Sequence, residues 1–387
     1  QRGVRALMAA LRRGTALLRH LQPARRMSAA VPGGGGEEFV VRTSQANGLA
    51  AATLNRPKVL NSLDLEMVRM LTPQVRQWDA DDAVAVVLLK GEGDKAFCAG
   101  GDVVSVAKSG NGGPDGGAFA RDFFREEYIL DHLLARLSKP YVVFMDGITM
   151  GGGVGLSFPA DFRIATERTL FAMPETGIGL FPDVGGSYYL PKLQGELGMY
   201  LALTGARLKG EDVVKAGIAT HYVPSDQLES LEAELSLVAT PDHAAVAAVL
   251  GGFDASTEAP ATFAPHVAEI DAVFSAASVP DLLGRLEEMG SAWADKQRQT
   301  ILRMSPTSLR VTHEQLSRGK AMTLEECLQM EYRMTQACMA HHDFFEGIRA
   351  QLIDKDRNPQ WSPATLAEVS DELVNAHFAP VDNDLDL

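Results

Sequence analysis

The sequence predicts an α/β protein in which short strands, turns and helices alternate before the chain turns entirely helical. Two observations carry this expectation. Strand-length apolar runs at residues 83–90, 141–145 and 162–165 are separated by glycine-rich breaks and by segments with helical spacing. Beyond about Ser225 the strand signals stop, and amphipathic helical patterns continue, punctuated by Pro241, Pro260, Pro280 and Pro306.

Taken in order, residues 39–43 and 49–54 read as two strands joined at Asn47-Gly48, a pair that favours the tight hairpin turn. Asn55-Arg56-Pro57 ends the hairpin, and residues 64–78 place Leu65, Val68, Leu71, Val75 and Trp78 at helical spacing. A buried strand at 83–90 leads to a glycine-rich break containing Phe97-Cys98-Ala99-Gly100-Gly101-Asp102 and to a low-complexity loop at 109–117. Residues 122–137 are expected to be helical, 141–145 a buried strand, Gly151-Gly152-Gly153 the opening of a helix, and 162–165 another strand. The expected divisions are a leader and linker at 1–36, an α/β core at 37–235 and a helical region at 236–387.

The 387 residues, 46% hydrophobic and 22% charged, suffice for a full core. No apolar run approaches the roughly 20 residues of a membrane span. Cys98, Cys327 and Cys338 form no C-x-x-C pair, so neither a disulfide framework nor a zinc site is expected. Residues 1–36 hold seven Arg, no Lys and no acid, the composition of a mitochondrial transit peptide or of a basic tail. The rest carries 29 basic against 50 acidic residues, which disfavours a nucleic-acid partner.

Chemistry is suggested at three places. Glycines that follow buried strands let a ligand approach the backbone closely, and backbone N–H donors aimed at a developing oxyanion are each worth about 3 kcal/mol. Gly151–Gly153 has this placement, although tight packing alone would also explain it. The run from Phe171 to Gly186 sets Glu175 and Asp183 among apolar residues and glycines, where they serve either as reactive acids or as helix caps. In the 122–137 helix, Glu127 lies on the apolar stripe with Phe123, Leu130 and Leu134, with Glu126 near the stripe's other edge. A carboxylate so placed must be paired, protonated or turned to a ligand. No histidine has a persuasive setting, and Gly185-Gly186-Ser187 lacks the elbow context of a serine nucleophile.

Together with Asn55-Arg56-Pro57, residues 123–128, 147–155 and 171–186, and 343–350 with 352–356, these segments resemble the crotonase superfamily of acyl-CoA enzymes. The likeness is greatest to its 3-hydroxyisobutyryl-CoA hydrolase branch. The resemblance implies a spiral of repeated strand-strand-helix units, an acyl-CoA substrate, a mitochondrial matrix location, a place in valine catabolism, and no metal or separate cofactor, coenzyme A being part of the substrate. It assigns the oxyanion donors to the N–H groups of Gly101 and Gly152, catalysis to Glu175 and Asp183, and the substrate hydroxyl to Glu127. Arg56, Lys58 and Lys95 are the candidate coenzyme A cations. Hydratases of the superfamily carry a second glutamate where this chain has Gly155, and usually a glycine where it has Asp183. That exchange points to hydrolysis of a short 3-hydroxyacyl thioester, by water that Glu175 activates or by attack of Glu175 itself. The alternatives are an enoyl-CoA hydratase or isomerase, and a non-catalytic relative docked on the mitochondrial ribosome. Association through the C-terminal helices is left open.

Overall fold

Asn47, in the left-handed region with φ 53°, turns the chain between β1 (Val41–Ala46) and β2 (Leu49–Leu54), which pair antiparallel. A computed structural model describes residues 40–110 and 117–387. The leader expected at 1–36 and most of the 109–117 loop lie outside them.

Asp64 accepts a hydrogen bond from the Met67 amide at 2.9 Å and so caps helix α1 (Leu65–Ala80), which buries the apolar set expected of it. Next come β3 (Val86–Gly91), β4 (Ala96–Cys98), α2 (Val103–Ser109) and α3 (Ala118–Ala135). The pattern recurs with β5 (Tyr141–Met145), β6 (Ile148–Met150) and α4 (Gly152–Ser157). Its third turn comprises β7 (Phe162–Ala165), β8 (Leu170–Ala172), a 3-10 turn at Glu175–Ile178, and the helices α5 (Gly186–Tyr189) and α6 (Leu197–Thr204). The strand β9 (Leu208–Lys209), α7 (Asp212–Lys215) and β10 (His221–Tyr222) complete the α/β part.

The longer strands form one sheet in the order β1-β2-β3-β5-β7-β10, parallel from β2 onward. The short strands form a second sheet, β4-β6-β8-β9, in which β4, β6 and β8 run parallel. Each strand-strand-helix unit thus gives one strand to each sheet, which is the spiral the resemblance implies. The residue pattern alone missed β4, β6 and β8, because three residues are too few to show a period of two.

Side chains alternate across the large sheet. Ala50, Ala52, Val87, Leu89 and Val143 enter one core with α1 and α3, while Leu49, Ala51, Val86, Leu88, Val142 and Phe144 enter a second. The second is closed by Leu231 and Leu235 of α8 (Leu228–Leu235) and by Val246 and Leu250 of α9 (His243–Gly251). From there the chain is helical: α10 (Val267–Phe274), α11 (Val279–Met289), α12 (Ala292–Ile301), α13 (Pro306–Gly319), α14 (Leu324–Ala340), α15 (His342–Ile348) and α16 (Asp371–Ala376).

These helices fold back on the α/β core. Arg125 of α3 lies 4.7 Å from the Tyr332 ring centre of α14 and donates to the Asp384 carbonyl at 3.1 Å. A Cβ on Gly347 of α15 would lie 2.4 Å from the carbonyl of Ile178, and one on Gly110, at the end of α2, 2.9 Å from the Phe345 ring. The described residues therefore pack as one compact unit, and none of their helices is long and apolar enough to cross a membrane.

Candidate active site

The two glycine clusters meet in space because β4 and β6 are neighbours in the small sheet. Leu63 bonds to Gly100 and Asp102 on either side of Gly101: its N–H donates to the Gly100 carbonyl, and the Asp102 N–H donates to the Leu63 carbonyl. In such a parallel bridge the amide of Gly101 points away from Leu63. Gly152 opens α4, where the first amides have no intrahelical acceptor. A Cβ on Gly152 would lie 3.3 Å from the Gly101 nitrogen, so the two amides stand close together although 51 residues apart. Gly151, which joins β6 to α4, has φ 45° and ψ −121°, a backbone open essentially to glycine alone.

Two carboxylates converge on this point. Glu175 heads the 3-10 turn after β8, and its Oε1 lies 3.3 Å from where a Cβ on Gly151 would stand. Glu127 reaches in from α3, its Oε1 2.6 Å from a Cβ position on Gly152. Glu127 and Glu175 are 2% and 5% exposed. Burial, and then the charges of Asp131 and Asp183, hold the Glu127 carboxyl well above its ordinary range. Burial and then Asp183 do the same to Glu175. The neighbouring Glu126 takes a bidentate pair from Arg69 on the outer side of α3, which settles which of the two glutamates turns inward.

Asp183 lies beside them, accepting the Tyr128 hydroxyl at 2.7 Å. Burial pushes its pKa up to about 6, and the Tyr128 bond works against that rise. It caps no helix: α5 begins beyond it, with Gly185 in the cap position and no side-chain cap bond. The loop carrying Asp183 is held by the C-terminal helices. Glu331 of α14 accepts the amides of Gly185 at 2.7 Å and Ser187 at 2.8 Å, and Gln315 of α13 donates to the Pro182 carbonyl at 2.6 Å. Burial pushes Glu331 up to about 8.

The three candidate cations divide. Arg56 is committed to protein groups, donating to the Ser62 carbonyl at 2.7 Å and pairing with Asp64 at 3.2 Å and Asp102 at 3.3 Å. Asp64 and Asp102 are the caps of α1 and α2, so Arg56 ties together the two helix starts beside the Gly101 amide. Lys58 and Lys95 are exposed, with no ion-pair partner among the described residues.

Tyr128, Asp131 and Glu331 escaped the sequence reading. Asp131 lies one helical turn after Glu127 on the same stripe, a spacing that could have revealed it. Glu331 sits 148 residues beyond Asp183 in an ordinary amphipathic helix, and no local pattern marks it. Glu127, Asp131, Glu175, Asp183 and Glu331 are all buried, and none of them pairs with a cation among the described residues. Nor is any group of three or more His, Cys, Asp or Glu side chains there arranged to hold a metal ion. Glu127 and Glu175 beside the amides of Gly101 and Gly152 suit a polar carbonyl substrate and the movement of protons.

Two-sheet architecture, paired glycine amides and a buried glutamate define a class of enzymes acting on acyl-CoA thioesters. The chain belongs to the enoyl-CoA hydratase/isomerase family, whose model matches residues 49–378. Its curated relatives include mitochondrial 3-hydroxyisobutyryl-CoA hydrolases, among them that of Danio rerio, 52% identical over 85% of this chain and 87% of its own. The Homo sapiens enzyme of the same name is 47% identical over 95% of this chain and 94% of its own. Among solved structures, a carnitinyl-CoA dehydratase from Mycobacterium thermoresistibile superimposes with a TM-score of 0.84 at 40% identity, covering 90% of this chain and 99% of its own. An enoyl-CoA hydratase from Rhodobacter sphaeroides gives 0.81 at 36%, covering 90% of this chain and all of its own.

Proposed function

We propose that this protein hydrolyses 3-hydroxyisobutyryl-CoA to 3-hydroxyisobutyrate and coenzyme A in the mitochondrion, as a step of valine breakdown. The high identity to curated hydrolases of that name over most of both chains supports the substrate and the location. The observation that carries hydrolysis rather than hydration is at Gly155. A Cβ there would lie 2.6 Å from that of Val184 and 2.9 Å from Asp131 Oδ2, so a second glutamate has no room, while Asp183 adds an acid alongside.

In this reading the thioester oxygen sits between the amides of Gly101 and Gly152. Glu175, made more basic by burial, takes a proton from water as the oxygen attacks the carbonyl carbon. The tetrahedral oxyanion is held by the two amides and collapses with cleavage of the C–S bond, and the thiolate recovers the proton from Glu175. The covalent variant has Glu175 attack first and form a mixed anhydride that water then opens. Mass analysis of enzyme quenched during a single turnover separates the two, since only the anhydride route adds the acyl mass to Glu175; label on Glu175 after a turnover in H2(18)O would further show that water opens the anhydride at the Glu175 carbonyl. Asp183 and Glu127 accept from the substrate's 3-hydroxyl, and a site built for that bond rejects an analogue lacking it. Lys58 and Lys95 supply free cations for the coenzyme A phosphates.

The test is free-thiol release from 3-hydroxyisobutyryl-, 3-hydroxypropionyl- and acetyl-CoA beside hydration of crotonyl-CoA. Hydrolysis favouring the hydroxylated substrates is expected. Equal rates on all three thioesters would remove the hydroxyl-reading role of Asp183 and Glu127, and efficient hydration of crotonyl-CoA would overturn the hydrolase reading.

A further inference from the structure

Asp131 is used by no step of that reading, yet it is 2% exposed and both its carboxyl oxygens lack a hydrogen-bond partner. An ionised carboxylate so placed would be desolvated on both oxygens at a cost of several kcal/mol. Its surroundings explain why it is there. A Cβ on Gly155 would stand 2.9 Å from Asp131 Oδ2, 3.1 Å from its Oδ1 and 2.6 Å from the Cβ of Val184. The carboxyl of Asp131 therefore faces the space that a side chain at position 155 would occupy, and on the other side of that space is the residue next to Asp183.

We propose that Asp131 is a further positioning residue of the hydrolytic site: it fills the space left at Gly155 and keeps a proton, so that the negative charge of the pair stays on Asp183. The Tyr128 hydroxyl already selects Asp183 as the charged member, since it donates to Asp183 at 2.7 Å and nothing donates to Asp131. The groups facing Asp131 act in the same direction. Burial first, and then the charges of Asp183 and Glu331 on the elements packed against it, raise its pKa well above the ordinary value, and Asp131 in turn raises that of Glu127 on its own helix. Tyr141 and Tyr189 also lie within its field, and Arg163, the cation near Tyr189, spends its guanidinium on the Ile218 and Ala160 carbonyls. Two like charges in one desolvated site cannot both form at neutral pH, and the geometry decides which one does. Asp131 acts through Asp183 and need not touch the substrate.

The inference rests on the assignment of chemistry to Glu175 and Asp183, which an inactive Glu175→Gln variant checks independently. It is tested by the pH profile of kcat/KM for 3-hydroxyisobutyryl-CoA, corrected for uncatalysed hydrolysis, in wild type and in Asp131→Asn and Asp131→Ala, with thermal unfolding of each recorded. Wild type is expected to lose activity on the alkaline side as Asp131 gives up its proton. Asp131→Asn, which has no proton to lose there, is expected to drop that limb while kcat falls by no more than about tenfold. In Asp131→Ala, kcat is expected to fall about 10- to 100-fold with KM little changed and folding retained. A wild-type profile without an alkaline limb, the same limb persisting in Asp131→Asn, an Asp131→Asn enzyme inactive at every pH, or an Asp131→Ala variant with wild-type kcat would each overturn the proposal.

Discussion

The Cβ of Val184 occupies the space beside Gly155 so closely that a Cβ added to the glycine would stand only 2.6 Å away. Val184 is buried and has φ 53°, a backbone that a β-branched residue adopts only under constraint from its surroundings. The absence of an acid at position 155 and the presence of one at 183 are therefore a single steric arrangement. The strained turn that presents Asp183 needs the room that glycine leaves.

Restoring the second hydratase carboxylate by Gly155→Glu is accordingly expected to fail as a conversion. Overpacking against Val184 and Asp131 should destabilise the fold by about 1–3 kcal/mol, lower thioesterase activity and yield no hydration of crotonyl-CoA. Denaturant melts and a hydration assay check it, and a stable Gly155→Glu variant that hydrates crotonyl-CoA would contradict the steric account.

Glu175→Gln keeps the shape of the side chain and removes its basicity. Thioester hydrolysis should drop by about 10²- to 10⁴-fold, with acyl-CoA binding preserved in equilibrium titration. Asp183→Asn should lower kcat and narrow the preference for 3-hydroxyisobutyryl- over isobutyryl-CoA, read as the ratio of their kcat/KM values.

The Tyr128 hydroxyl lowers the pKa of Asp183, which burial has raised to about 6. In Tyr128→Phe that support is gone, so the acid limb of kcat/KM should move to higher pH. A limb unchanged in Tyr128→Phe would show that Asp183 does not govern it.

Glu331, with a pKa near 8 in the folded protein against an ordinary value of 4.5, binds a proton more tightly folded than unfolded. The native state then holds more protons than the unfolded chain between those values, and stability must fall as pH rises through the window. Glu331→Gln should flatten the decline of melting temperature between about pH 4.5 and pH 8. Because it also weakens the grip on the Gly185 and Ser187 amides, it should lower kcat through the Asp183 loop. A decline as steep as in wild type would remove Glu331 as its source.

Arg56 is a structural cation, in contrast to the role proposed for Lys58 and Lys95. With its guanidinium tied to Asp64 and Asp102, Arg56→Ala should reduce stability and disturb the Gly101 amide, lowering kcat. Lys58→Ala and Lys95→Ala should instead raise KM for acyl-CoA with kcat retained, the effect shrinking at high salt. Dephospho-coenzyme A thioesters would show which lysine meets the ribose phosphate.

How far the site could be read from sequence depended on the distance between its parts. Glu175 and Asp183 betrayed themselves by their apolar neighbours, and Glu127 by its place on a helical stripe. A local pattern could not choose firmly between Glu127 and Glu126, which the Arg69 pair decides. Nor could it separate Arg56 from the lysines, since each is simply a cation until its partners are known.

The alternation of strands and helices, the helical last third, the two glycine clusters and the acids that carry the likeness to acyl-CoA hydrolases are all legible in the amino-acid order. All of these rest on periodicity, composition or order along the chain. The closeness of Gly101 to Gly152, the place of Asp131 in the space left at Gly155, and the hold of Glu331 and Gln315 on the Asp183 loop come from the folded chain. These are contacts across large sequence separations, set by the pairing of short strands and by the packing of a distant helix, and no window of neighbouring residues contains them.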